Sequence, residues 1–211
     1  MSGQTTTTPV FHYLRLGRHG RGEVVRLLLK DAGIDFEDIR YVFDDTWSST
    51  KIQLQKQGLT KTGKLPALQY KGHALNQHIP ILRYLARDLG QYDGETTWDK
   101  YVVDAVSDIY VDWRFKWVAN LGNVTEHYKS HFAPEYYAIL STYYSDRNGP
   151  YLLGQKITYA DFAVYQSMVD DQRIGALPVS LPSSMVKFKE TFEKRPNITR
   201  YITQCRDPPQ S

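Results

Sequence analysis

Gly63-Lys64-Leu65-Pro66-Ala67-Leu68-Gln69-Tyr70-Lys71-Gly72-His73-Ala74-Leu75-Asn76-Gln77-His78-Ile79-Pro80-Ile81-Leu82-Arg83-Tyr84-Leu85-Ala86-Arg87 changes character twice along its length. Ala67 to Tyr70 and His73 to Leu75 read as two short strands, and Lys71-Gly72 between them suits a hairpin turn. From Ile79 to Leu89 the apolar residues recur at helical spacing, which predicts an amphipathic helix. The polar pair Gln77-His78 stands just before that helix. Side-chain and backbone donors at the positive end of a helix make an anion site suited to a carboxylate. Histidine is a poorer cap than serine, so His78 reads either as a tolerated cap or as a ligand contact. Pro80 fits the first turn, where a missing N–H costs nothing.

Working back toward the start, Val10 to Leu16 reads as a strand and Phe36 to Phe43 as a second. Between them Val24, Val25, Leu27, Leu28 and Leu29 form the apolar face of a helix over Glu23 to Ala32, closed by Gly33. Ser48 to Gln57 is polar and predicts a short helix. The order is β-α-β-α-β-β-α over residues 9–90. Beyond the polar connector Gly90 to Gly94 the pattern becomes helical throughout. Val102, Val106, Ile109, Trp113 and Trp117 recur at spacings of three and four, the mark of a buried stripe. Further helices are expected over 134–146, 158–171, 183–193 and 197–205. An α/β part followed by an all-helical part, residues 96–211, is a two-domain plan.

The 211 residues carry 41% hydrophobic and 23% charged side chains, which argues against disorder. Sixteen Tyr and four Trp suit an apolar pocket as well as a core. Lys and Arg are scattered and the net charge is only +3, so no nucleic-acid surface is expected. No apolar run approaches the roughly 20 residues needed to span a bilayer. The polar, Thr-rich start lacks the apolar segment of a signal peptide and reads as a frayed tail. The single cysteine, Cys205, allows no intrachain disulfide and fits a reducing, cytoplasmic setting. Gly58 to Leu65 nearly matches a phosphate-binding loop, but Leu65 replaces the magnesium-binding hydroxyl and a strand follows where a helix should. No His/Cys cluster has zinc spacing.

The stretch from Gly63 to Arg87 resembles the thioredoxin-like half of cytosolic glutathione S-transferases, where a G-K-x-P-x-L stretch leads to Q-S-x-A-I-x-x-Y-L. Gly20-Arg21-Gly22-Glu23 followed by Val25-Arg26-Leu27-Leu28 is similar to the first helix of sigma-type members. Val103-Asp104-Ala105 with Asp108 and Asp112 resembles the start of their helical domain, and Ile157 to Phe162 their late helix-start motif. The likeness runs from Val10 onward, in order and at the right spacing, and is closest to filamentous-fungal sigma-like enzymes. It implies glutathione as co-substrate, an electrophilic small molecule as second substrate, a homodimer, and a role in detoxification or secondary-metabolite tailoring. It implies a cis Pro66, with the backbone of Leu65 pairing the cysteinyl part of glutathione, and Arg21 and Lys64 alongside. Gln77 and His78 would hold the γ-glutamyl end. Trp47 and Lys51 would hold the glycyl end, an indole N–H and an ammonium being sensible carboxylate donors. Asp112 would reach the partner subunit's glutathione amine. Tyr110, Trp113 and Arg114 would wall the second-substrate pocket, while Trp117 reads as core. Thr158 and Asp161 form a structural capping box.

One departure bears on the chemistry. The family lowers the thiol pKa of glutathione, and sigma-type enzymes do so with a Tyr hydroxyl after the first strand. Counting back from Gly20-Arg21-Gly22-Glu23 without a gap puts Arg15 there. Tyr13 lies two residues earlier on the same strand face. Three readings stay open: Arg15 stabilises the thiolate by charge, Tyr13 does so after a loop shift, or the chain binds glutathione without transferase chemistry, as a scaffold. Glutathione-dependent isomerisation is a related alternative.

Overall fold

The computed structural model describes residues 8–204, so Cys205 and the first seven residues lie outside it. Four strands form one mixed sheet: β1 (Val10–Leu14), β2 (Glu37–Tyr41), β3 (Ala67–Tyr70) and β4 (His73–Asn76), in the order β2-β1-β3-β4. β1 runs parallel to β2, and β3 is antiparallel to both β1 and β4. The central β1 is buried on both faces. Phe11 and Tyr13 point to one side; His12 points to the other, hydrogen-bonded to Tyr41 (2.9 Å) and Gln69 (3.2 Å).

Helices α1 (Gly20–Asp31) and α3 (His78–Leu89) bury the apolar faces read from the sequence. Val24, Val25, Leu28, Leu29, Ile81, Leu82 and Leu85 are fully enclosed in the same core. α2 (Trp47–Lys56) buries only Leu54 and packs beside Leu59 and Ala67, with Trp47 and Leu65 at the edge of that small cluster. The Leu65–Pro66 bond is cis, as the resemblance implied. α3 ends at Gly90, whose φ of 66° suits glycine.

The rest is helical: α4 (Thr97–Ala119), α5 (Ala133–Ser145), α6 (Tyr159–Arg173), α7 (Ser183–Glu193) and α8 (Pro196–Gln204). A five-residue π-helical stretch, Tyr128–Phe132, leads into α5; nothing in the sequence pattern announced it. α4 starts at a full capping box, Thr96 with Asp99. Among the described residues no helix is long and apolar enough to cross a membrane.

The two parts share one continuous core. Buried acids of α1 find their partners far along the chain. Glu23 accepts the Tyr201 hydroxyl (2.9 Å), and Asp31 accepts the Tyr92 hydroxyl (2.9 Å) and Arg195 Nε (2.7 Å).

Asp161 does more than the expected capping. It is fully buried and accepts the Thr158 backbone N–H (2.6 Å), the Thr158 and Tyr144 hydroxyls (2.8 Å each) and the Leu152 N–H (3.1 Å). One carboxylate therefore ties α5, the turn at Leu152 and the start of α6. Asp161→Ala strands several buried donors, each costing about 1–3 kcal/mol. Denaturant unfolding is expected to show a loss of about 3 kcal/mol or more, with Asp161→Asn recovering part of it.

Candidate functional site

The sheet topology sends several chain segments to one edge. β1 and β2 both end there. β3 begins there, since Ala67 pairs with His12, and β4 ends there, since Asn76 pairs with Ala67. α1, α2 and α3 each start after one of these strand ends. Ligands in open α/β sheets sit outside the carboxyl ends of strands. Arg15, Trp47, Leu65, Gln77 and His78 are all contributed to this rim.

Several printed contacts join these segments. Trp47 and Leu65 pack on the same cluster. The Lys51 β-carbon lies 3.4 Å from where a β-carbon on Gly63 would stand, which puts α2 beside the loop carrying Lys64. Lys51, Lys64 and Gln77 are exposed, and Trp47 is half-buried. The β3 ladders begin at Ala67, leaving Leu65 paired to neither neighbouring strand.

Gln77, not His78, is the cap of α3. It adopts φ 68° and ψ 121°, a conformation that side chains rarely take, at the mouth of a helix with free N–H groups. His78 occupies the first helical position and turns inward, only 5% exposed. The reading of His78 as a tolerated cap is thereby corrected: its ring lies 5.7 Å from Tyr110 and makes no capping bond. Among the described residues neither ring nitrogen has a partner. Burial, then the charges of Arg21 and Arg114, push its pKa from 6.5 to about 3.

Arg15 follows β1 directly. Its backbone N–H donates to Tyr41 O (2.7 Å), while its side chain is exposed. Tyr13 is 5% exposed and lies against the start of α1. A β-carbon on Gly22 would stand 2.2 Å from the Tyr13 ring, so the ring fills the space that any larger residue at 22 would need. Burial raises the Tyr13 pKa, partly offset by Arg114 and by a hydrogen bond with the Gly22 backbone.

Tyr110, Trp113 and Arg114 are all buried on α4. Trp113 stacks between Tyr110 (5.5 Å) and Tyr136 (5.7 Å) and donates its indole N–H to Asp171 (3.1 Å). Arg114 pairs with Asp170 (2.6 Å) and lies 4.2 Å over the Trp117 ring, which is core as expected. Asp112 is exposed on the same helix. Asp170 escaped the sequence reading. Adjacent acids following the apolar pair Met168-Val169 were the signal, because buried carboxylates are kept where cations or several donors meet them.

Two family models match the chain in tandem: the glutathione S-transferase N-terminal domain over residues 9–87 and the C-terminal domain over residues 111–204. "Probable glutathione S-transferase 7" of Caenorhabditis elegans is 30% identical over 197 residues, covering 87% of this chain and 90% of that relative. The chain belongs to the glutathione S-transferase family. "Hematopoietic prostaglandin D synthase" of Gallus gallus is 32% identical over 149 residues, 68% of this chain and 70% of that one. The solved pi-class glutathione S-transferase of Onchocerca volvulus superposes with a TM-score of 0.81 at 27% identity, covering 94% of this chain and 93% of that one. The thioredoxin-like half followed by the helical half is thus the arrangement of this enzyme family.

Two outcomes follow for this glutathione S-transferase. Gly22→Ala overpacks the Tyr13 ring and is expected to cost about 1–3 kcal/mol. In a Tyr13→Leu background the same change costs less, and a double-mutant cycle by chemical denaturation reads the difference. His78 takes up its proton less readily folded than unfolded. Its contribution to stability is therefore complete above pH 6.5 and drains away as pH falls toward about 3. Unfolding measured across that window is expected to show a shallower acid loss in His78→Gln.

Proposed function

We propose that the chain conjugates the thiol of glutathione to an electrophilic, aromatic or conjugated small molecule. The observation that carries this reading is the convergence of three recognition elements on one sheet edge. The unpaired backbone at Leu65 suits the amides of an extended tripeptide. The start of α3, with Gln77 and the backbone N–H of His78, suits one carboxylate. Trp47 and Lys51, with Lys64 close by, suit the other. Arg21, in the first turn of α1, flanks the same rim. In this reading the protein works in the cytoplasm as a homodimer, with Asp112 turned to the partner subunit, and its division falls at residues 9–90 and 96–211. Tyr110, Trp113 and Arg114 back the second-substrate side. The sigma-like grouping rests on the motifs around Arg21 and Val103-Asp104-Ala105, and the filamentous-fungal likeness on the whole chain. Detoxification or secondary-metabolite tailoring is the setting it suggests.

Arg15 is the group we assign to the thiol. It follows β1 at the rim and pairs with no carboxylate among the described residues, and a guanidinium favours a thiolate by charge. Tyr13 is held in the core by Gly22, and reaching the sulfur would require α1 to move away. A second reading, glutathione binding without turnover, is favoured by the same facts: the Tyr is withdrawn and the Arg is exposed to water, where charge is screened.

Calorimetry with glutathione is expected to show binding, and Trp47→Ala or Lys51→Ala to weaken it about 10-fold. The thiol pKa of bound glutathione, followed by ultraviolet titration, is expected to rise in Arg15→Ala and to stay put in Tyr13→Phe. Absence of binding at millimolar glutathione sinks the reading. Binding without conjugation of several unrelated electrophiles selects the scaffold alternative, and substrate conversion without glutathione consumption selects isomerisation.

A further inference from the structure

A buried polar junction lies where β1, α1, α3 and α4 meet, and the binding mode proposed for glutathione leaves the side chains of His78 and Tyr110 unused. Both ring nitrogens of His78, the Tyr110 hydroxyl, Arg21 Nε and Arg114 Nε are buried without a hydrogen-bond partner. His78 is 5% exposed and Tyr110 fully buried. These groups belong together: the His78 and Tyr110 rings are 5.7 Å apart, and the charges of Arg21 and Arg114 act on His78, Tyr110 and Tyr13 alike. Native proteins rarely bury so many unpaired donors in one place unless something else fills them.

The charge balance says what that something is. Arg114 is neutralised by Asp170 at 2.6 Å, and Asp170 also meets His19 (3.3 Å) and Gln166 (2.9 Å). Arg21 has no carboxylate partner among the described residues. His78, pushed down to a pKa of about 3, is neutral near pH 7 and offers one ring N–H. One uncompensated guanidinium, one phenol and one imidazole N–H amount to a donor set for a single anion with two oxygens. A buried water could satisfy His78 and Tyr110; an anion would satisfy them and also meet the half-buried charge of Arg21. The approach is from the Arg21 side: that residue is half-buried, and its guanidinium lies 5.5 Å over the exposed ring of Phe115. Phe115 supplies an aromatic face beside the charge.

We propose that this junction takes up the carboxylate of the second substrate, so that the electrophile is an aryl acid rather than a neutral molecule. The assignment rests on the conjugation reading. With 4-chloro-3-nitrobenzoate as probe, the glutathione sulfur forms a bond to C4, the carbon–chlorine bond breaks, chloride leaves and the thiol proton passes to solvent.

The test has two parts. Tryptophan-fluorescence titration of the full chain compares 3-nitrobenzoate with its methyl ester. Conjugation of 4-chloro-3-nitrobenzoate is compared with that of its methyl ester, each kcat/KM being divided by the uncatalysed rate. The acid is expected to lead in both by about 10-fold or more, the worth of hydrogen bonds to a charged group. Tyr110→Phe and Arg21→Gln are each expected to shrink that ratio. Arg21 is half-buried, so its variant keeps the test valid if loss of the Tyr110 hydroxyl disturbs folding. Equal binding of acid and ester overturns the proposal and leaves water as the occupant. A preference that survives both substitutions overturns it too, placing acid recognition elsewhere. Glutathione calorimetry on the same samples separates the two levels. If glutathione binds and the ester is conjugated without any acid preference, only the carboxylate assignment falls. If the acid is preferred but glutathione neither binds nor reacts, the conjugation reading falls, and with it the acid's role as co-substrate.

Discussion

The close approach of α1 to β1 is the constraint on which the site depends. A β-carbon at Gly22 would stand 2.2 Å from the Tyr13 ring, so glycine and tyrosine form a matched pair of small and large. That contact fixes how near the start of α1 comes to the sheet. It decides where Arg21 and the exposed Arg15 stand, because both lie within a few residues of it. It also turns a tyrosine on the strand face into a core residue. Tight interiors allow few such exchanges, and changing one member without the other is felt across the packing.

Much of the architecture was legible from periodicity. The hairpin around Lys71-Gly72, the apolar faces of α1 and α3, and the stripe on α4 stand within a residue or a few of their expected bounds. These signals are local, and apolar spacing states directly which face is buried. The candidate site was legible as a set of residue positions, through the order and spacing of short motifs. Its side-chain orientations were not. Nothing near His78 in the chain says that its ring turns toward Tyr110, and the Arg114–Asp170 pair joins residues 56 apart. The π-helical stretch has no apolar period of its own to betray it.

The helical half keeps its fully buried acids on α6. Asp161, Asp170 and Asp171 are all fully buried, and each is met by donors from other helices. Asp171 accepts the Tyr128 and Tyr137 hydroxyls (2.7 Å each) and the Trp113 indole, and burial still lifts its pKa to about 6. Such networks contribute little net stability over an apolar core, yet they specify one arrangement of the helices around them. The Tyr110–Trp113 face of α4 therefore rests on a hydrogen-bonded floor.

The long-range partners of α1 bear on how the chain is made. Glu23 is 1% exposed and is met by Arg26 of its own helix and by Tyr201; Asp31 is 9% exposed and is met by Tyr92 and Arg195. As synthesis proceeds from the amino end, the sheet and its first three helices emerge before Tyr92, Arg195 and Tyr201, when Glu23 has only Arg26 and Arg18 beside it and Asp31 faces water. Until α8 leaves the ribosome, α1 lacks the side chains that cover its two acids. The packing around α1 is thus complete only when α8 docks against it, and a fragment ending before Tyr92 would leave Asp31 to water and Glu23 to its arginine neighbours.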